Sequence, residues 1–314
     1  MVAPKCEAAW RTDGWCVIPS VIPADVLRAA QNAVEHLFPT ATEMDSGVEN
    51  ERTMPWRTTV DAKWPEFPYR SRTLSKLPFL PEVLDIATSF LGSDDLRLYM
   101  SVISVKYANQ SSGYNQLLHA DFPNQSLLVP QAAEHYPLLE LFIYLSDVTA
   151  AEGATRMVSR TRTADIPVEQ HTLSYAEYPD LYDDDGIAEG TAGTVVAYRP
   201  DVYHRSVDLT EPGHRRIMMH AAYRLAAAEW SQYQAWAFKG FSPEWHNFVQ
   251  ASGPTELALL GFPKPGHAYW TEDSIQRVNA RYPGLDMTPW RAAVRQAPDR
   301  SEAERPRSNP EDAR

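Results

Sequence analysis

Between residues 96 and 225 the chain breaks into short apolar segments separated by turn signals, and no other feature restricts its fold as much. Residues 98–107, 117–122, 138–145, 154–158, 194–198, 202–207 and 215–223 each have the length and the β-branched or aromatic content of a strand. Ser-Gly at 112–113, Glu-Gly at 152–153, Asp-Gly at 185–186 and Glu-Pro-Gly at 211–213 punctuate them. Short strands repeating at this spacing predict a sandwich or barrel, the jelly-roll class included.

The flanks read differently. Residues 14–22 predict one more short strand. Pro23-Ala24-Asp25 then opens a helix with apolar residues at Val26, Leu27, Ala30, Val34 and Leu37. A second helix is predicted over 80–91, stopped by Gly92. Residues 40–75 are polar and proline-containing, with Trp56 and Trp64, and predict an irregular segment laid over another part of the molecule. Past Leu225 the chain is rich in aromatics (Trp230, Tyr233, Trp236, Phe238, Phe241, Trp245) and predicts a helical extension from about residue 226. Residues 1–295 read as one domain, and the charged, proline-containing stretch 296–314 as a disordered tail.

Composition excludes some partners. Of 314 residues, 29 are Lys or Arg and 41 are Asp or Glu, a formal charge of −12. The basic residues are scattered, so neither a nucleic-acid backbone nor an anionic membrane surface is an expected partner. Cys6 and Cys16 have the spacing of neither a zinc site nor a disulfide framework and read as reduced thiols. The opening Met-Val-Ala-Pro-Lys-Cys-Glu lacks the apolar core of a signal peptide. The longest apolar run, 138–145, is interrupted by Glu140 and falls short of a membrane span. The expectation is a cytoplasmic protein; the oligomeric state is left open.

His119-Ala120-Asp121 carries the first chemical signal. Residues two apart on a strand point to one face, so imidazole and carboxylate converge. Alone, His-x-Asp is a common accident, equally read as a hydrogen-bonded histidine beside a loop aspartate. A distal strand carrying His204 adds a third candidate ligand, and two histidines with one carboxylate are the facial triad of non-haem iron(II) oxygenases. Such a triad leaves coordination positions open for a co-substrate and dioxygen. Arg215 follows His204 across the turn at 209–213, on a strand expected to lie beside it. A keto-diacid chelating the metal would offer its far carboxylate to that guanidinium, whose fork suits a carboxylate. Arg215 shares its face with Ile217, Met219, Ala221 and Tyr223, an apolar set. Arg216 shares its face with Met218, His220 and Arg224, a more polar one. Parity therefore predicts Arg215 inward and Arg216 outward. Ser206, on the face of His204, is a second candidate for the same carboxylate. Lys106, on the strand before His119, is either a pocket residue or a lysine reaching past the sheet to solvent. Tryptophans 56, 230, 236 and 245 read first as core. His214 reads as a turn residue and His220 as a surface or packing one; His36, His135, His171, His246 and His267 show no partner spacing.

Together, His119-x-Asp121, His204-x-Ser206 and Arg215 resemble the phytanoyl-CoA dioxygenase family of 2-oxoglutarate oxygenases. So do the opening run from Asp13 to Pro19, the pair Leu145-Ser146-Asp147 and Glu152-Gly153-Ala154, and Gly193-Thr194-Val195-Val196 leading to Tyr203-His204. The resemblance covers roughly residues 10–225. It implies a double-stranded β-helix, or jelly roll, wrapped by α-helices. It also implies an Fe(II)- and 2-oxoglutarate-dependent dioxygenase in which His119, Asp121 and His204 hold the metal, and Arg215 and Ser206 face the co-substrate; Lys106 is a further candidate for the co-substrate side from its strand position alone. With dioxygen, such an enzyme oxidises a small molecule, most simply by hydroxylation. Val158-Ser159-Arg160-Thr161 stands where the family often carries Pro-Gly-Ser-His, so the substrate side is where a difference is expected. Two other readings stay open: a cupin-like metalloenzyme without 2-oxoglutarate, and a non-catalytic small-molecule binder on the same fold.

Overall fold

The structure is a computed structural model and describes residues 4–58, 63–108, 115–125, 138–167, 170–229, 236–240 and 242–296. The Ser-Gly turn at 112–113, His135, Trp230, Tyr233, Phe241 and the tail beyond residue 296 lie outside the described residues. The chain divides into two compact units, residues 1–240 and 241–314.

The first unit holds two antiparallel five-stranded sheets. One contains β1 (Trp15–Ile18), β2 (Leu96–Tyr107), β4 (Leu138–Tyr144), β8 (Val195–Tyr198) and β10 (Arg215–Leu225), in the order β1-β8-β4-β10-β2. The other contains β3 (Leu118–His119), β5 (Arg156–Met157), β6 (Thr172–Leu173), β7 (Gly186–Ile187) and β9 (His204–Arg205), in the order β6-β3-β9-β5-β7. Two such sheets fit the sandwich or barrel that the turn spacing predicts and the double-stranded β-helix that the family resemblance implies. The strands β6 and β7 were not foreseen, since two residues carry no period to read.

The long sheet buries both faces. Phe142, Tyr144, Val196, Tyr198 and Met218 point to the second sheet and pack with Met157 and Val202. Alternate residues on β4, β8 and β10, among them Leu141, Ile143, Val195, Ile217, Met219 and Ala221, are also fully or nearly fully buried. Helices cover this other side. The helices of this unit are α1 (Pro4–Asp13), α2 (Ala24–Glu35), α3 (Ala41–Asp45), α4 (Thr53–Thr58), α5 (Arg72–Lys76) and α6 (Pro81–Leu91), with the short α7 (Phe122–Gln125) and α8 (Pro179–Asp183) in loops between strands. In α6, Val83, Ile86, Ala87 and Phe90 form a buried stripe at helical spacing, and the helix packs on β4 and β10. Gly92 ends it with φ 69°, the left-handed conformation for which glycine carries no steric cost. α2 buries Ala30 and Val34, and its Gln31 amide donates to the Leu145 carbonyl at 3.1 Å. The segment 40–75, expected to be irregular, contains α3, α4 and all but the last residue of α5.

The second unit is helical: α9 (Pro243–Gln250), α10 (Pro254–Leu259), α11 (Glu272–Arg281) and α12 (Thr288–Gln296). Trp245, Phe248, Trp270, Tyr282 and Trp290 are buried in its core, while Tyr269 is exposed. Trp270 and Trp290 lie 5.5 Å apart and both indole N–H groups donate to the Pro263 carbonyl. Trp245 donates to the Tyr282 hydroxyl at 3.2 Å.

Candidate metal centre and its pocket

The short strands β3 and β9 place the first two candidate ligands. His119 and His204 are directly opposite each other across this antiparallel pair, so their side chains leave the same face, with ring centroids 4.4 Å apart. Each imidazole is oriented by its own strand: His119 Nδ1 lies 3.0 Å from the Leu117 carbonyl, and His204 Nδ1 lies 3.0 Å from the Val202 carbonyl. A carbonyl only accepts, so Nδ1 carries the proton and the Nε2 lone pair is left for a ligand. Those Nε2 atoms point at Asp121, 4.0 Å from His119 and 3.6 Å from His204. One ligand atom from each of the three residues lies within 4.8 Å of the other two. This nitrogen-and-oxygen donor set, gathered from one side, fits a divalent iron whose remaining positions stay open.

Protonation states agree with ligation. Burial lowers the His204 pKa to about 4, leaving a neutral imidazole. Burial pushes the Asp121 carboxyl up, but His204, His220, His119 and a hydrogen bond from Tyr198 outweigh it and hold the group below its ordinary range. The Tyr198 hydroxyl donates to Asp121 Oδ2 at 2.8 Å.

Behind Tyr198 runs a buried polar chain that the sequence did not predict. His220 Nε2 lies 3.1 Å from the Tyr198 hydroxyl and 2.7 Å from Glu140 Oε2. The Tyr99 hydroxyl bonds the other Glu140 oxygen. Glu140, which interrupts the apolar run on β4, is fully buried, and burial raises its pKa despite His220. A lone acid in a strand buried on both faces was the legible signal. His220, expected on the surface or in packing, belongs to this chain and lines the cavity.

The three candidate ligands open onto a cavity of about 610 Å³. Lys106 and Ser206, both predicted, line it, but Arg215 does not; Arg216 takes its place. The parity expectation is thus corrected. Arg215 points to the helical layer, where its guanidinium donates to the Pro39 carbonyl at 2.6 Å and pairs with Glu35 of α2. Arg216 is 2% exposed and donates to the Gly153 carbonyl. The physical reason lies in the two buried faces of β10. The apolar face, Arg215 to Ala221, is the one that helices cover. The polar face, Arg216, Met218 and His220, looks into the barrel and lines the cavity.

Gly153 is required in this corner. Its φ is +73°, and a Cβ there would come within 2.8 Å of the Val207 carbonyl oxygen. Arg216 is paired in register with Lys106 of β2. The Lys106 ammonium bonds Ser206 and donates to the Val207 carbonyl at 2.8 Å. Burial, then repulsion from Arg216, lowers the Lys106 pKa to about 6. Trp56, expected in the core, is buried and also part of the cavity wall. In the departing stretch, Ser159 bonds Asp13 at 2.8 Å and Arg160 pairs with Asp201 at 2.9 Å, both away from the cavity lining.

The phytanoyl-CoA dioxygenase family pattern matches residues 10–217 of this chain. Among solved structures, EctD from S. alaskensis with bound Fe aligns with a TM-score of 0.54 and 16% identity, covering 75% of this chain and 82% of that one. The non-haem alpha-ketoglutarate-dependent carbocyclase SnoK from nogalamycin biosynthesis aligns with a TM-score of 0.52 and 20% identity over 77% of this chain and 92% of its own. The epimerase SnoN, in complex with Fe3+, alpha-ketoglutarate and nogalamycin RO, aligns with a TM-score of 0.52 and 18% identity over 76% and 89%. At these identities the likeness is one of fold. No curated protein sequence matches the chain.

Proposed function

The chain belongs to the phytanoyl-CoA dioxygenase family, and from that premise we propose that it is an Fe(II)- and 2-oxoglutarate-dependent oxygenase that hydroxylates a small organic molecule, with His119, Asp121 and His204 as the metal ligands. The observation that carries this reading is the pocket itself: a triad of one carboxylate and two histidines sharing one cavity with a buried arginine and lysine.

With iron and 2-oxoglutarate bound, the site would supply oxidation of a substrate C–H bond by dioxygen, two electrons coming from 2-oxoglutarate as it is decarboxylated to succinate and two from the substrate. The protein's part is positioning. His119 and His204 present neutral Nε2 lone pairs because backbone carbonyls hold their other ring nitrogens. Asp121 presents a carboxylate whose second oxygen is occupied by Tyr198. Arg216 receives the far carboxylate of the co-substrate in a fork, with Lys106 and Ser206 beside it. Phe142 and Met218 supply apolar wall that limits water at the reacting face. Asp121 occupies a coordination position that a halide ligand would need, which supports hydroxylation.

Anaerobic protein given Fe(II) and 2-oxoglutarate should show a metal-to-ligand charge-transfer band, and in air should form succinate. His119→Ala and His204→Ala should lose both. Unchanged succinate formation in either variant would sink the triad assignment.

A further inference from the structure

In a protein whose formal charge is −12, this cavity is lined by four basic side chains, Arg57, Lys63, Lys106 and Arg216, against one carboxylate, Asp121. The proposed co-substrate uses only part of that charge. With a dianionic 2-oxoglutarate chelated, the metal ion and Arg216 balance Asp121 and the co-substrate. Lys106, with its depressed pKa, stands beside them. Arg57 and Lys63 have no part in that set.

Their surroundings do not explain them. Arg57, in α4, reaches the Met44 carbonyl with Nη2 at 3.3 Å, while its Nε is buried and makes no hydrogen bond. The Lys63 ammonium lies over the Trp56 ring, 5.2 Å from its centroid. Among the described residues neither is ion-paired to a carboxylate, although this acidic chain supplies partners readily elsewhere, as for Arg52 with Glu43 at 3.2 Å and Lys239 with Glu66 at 2.8 Å. A buried N–H left unsatisfied is costly, typically about 1–3 kcal/mol, and an anion arriving in the cavity would satisfy it. The same cavity also has an apolar wall, made by Trp56, Phe142, Met218 and Trp64, the last 50% exposed and so standing at the solvent side.

Taking the iron and 2-oxoglutarate reading as its basis, we infer that the primary substrate is an organic anion with an apolar body, its acid group bound by Arg57 and Lys63 and its body lying along Trp56, Trp64 and Phe142. A carboxylate and a phosphate ester share this chemistry. Arg57 provides the fork and Lys63 a point charge already half-desolvated against an indole face.

The test is calorimetric titration of the anaerobic protein loaded with Fe(II) and 2-oxoglutarate. The probes are phenylpropionate, indolepropionate, decanoate and phenyl phosphate, each beside a neutral counterpart: the primary amides of the acids, and phenol. The charge-transfer band is followed in parallel. The wild-type protein should bind at least one acid about tenfold more tightly than its neutral counterpart. In Arg57→Gln and in Lys63→Gln that preference should shrink to about threefold or less, with the 2-oxoglutarate band and its half-saturation unchanged. Arg57→Lys, which keeps the charge, should retain most of the preference, and thermal melting checks that every variant is folded. Tighter phenyl phosphate identifies the phosphate-ester source; tighter phenylpropionate identifies the carboxylate one. Equal binding of acids and neutral counterparts, or binding of no probe, overturns the inference. A weakened 2-oxoglutarate band in Arg57→Gln also overturns it, because the cations would then be serving the co-substrate. A wild-type protein that shows no band breaks the co-substrate reading, while the acid-to-neutral comparison still decides this one.

Discussion

Replacing Arg216 with alanine should separate the two arginines of β10 cleanly. Arg216 is 2% exposed, lies in register with Lys106, and shares the cavity with the three proposed ligands. A buried guanidinium facing a carboxylate contributes most when both are desolvated; truncating one partner of such a pair costs about 2–5 kcal/mol. Lys106 keeps a second positive charge in the same corner, so the lower part of that range applies. About 2–3 kcal/mol corresponds to a rise of roughly 30- to 150-fold in the Kd for 2-oxoglutarate. Arg215→Ala removes instead the link from β10 to Glu35 and the Pro39 carbonyl. It should leave the Kd within about twofold and lower stability by about 1 kcal/mol, a fall in Tm of a few degrees for a chain of this size. The assay is anaerobic titration of the charge-transfer band, with melting curves on the same samples. A Kd that rises in Arg215→Ala and stays flat in Arg216→Ala would mean that β10 is displaced by one residue and that the inner face is the apolar one. A flat Kd in both would remove the carboxylate from this corner altogether.

Lys106 makes 2-oxoglutarate binding pH-dependent. Its pKa in the free pocket is lowered to about 6, first by burial and then by Arg216; an arriving dianion favours the charged ammonium, so the complex holds more protons than the free protein above pH 6. Affinity should therefore be level below about pH 6 and decline as pH rises from 6 towards 8, with proton uptake visible in calorimetry across buffers of different ionisation enthalpy; a pH-independent Kd, or an unchanged slope in Lys106→Met, contradicts this. Tyr198→Phe keeps the ring against Phe142, 4.8 Å away, but removes the hydrogen bond to Asp121. Metal affinity should fall about tenfold with the melting midpoint nearly unchanged, and equal affinity in a metal titration would show that the buried polar chain does not orient the ligand.

Much of the architecture follows from local rules that the chain carries in order. Turn residues between short β-rich runs imply two stacked antiparallel sheets; Val83, Ile86, Ala87 and Phe90 imply a helix with one buried side; Gly92 implies where it stops. The proposed ligands were legible in part. His204 is set directly across from His119 by strand pairing, but β3 ends at His119, so Asp121 is brought to the same point by the bend that follows the strand and not by strand alternation. Which face of β10 looks inward was not legible. A period of two divides Arg215 from Arg216 but says nothing about direction when both faces are buried, and here the apolar face is the one beneath helices. Only closure of the barrel decided that Arg216, Met218 and His220 line the cavity. The same holds for Glu140 and His220, 80 residues apart in sequence and 2.7 Å apart in space, and for Arg57, Lys63 and Trp56, whose segment reads as polar and irregular until it forms part of the cavity wall. Contacts between distant residues depend on how the sheets close, and that is a property of the packed molecule, not of any one segment.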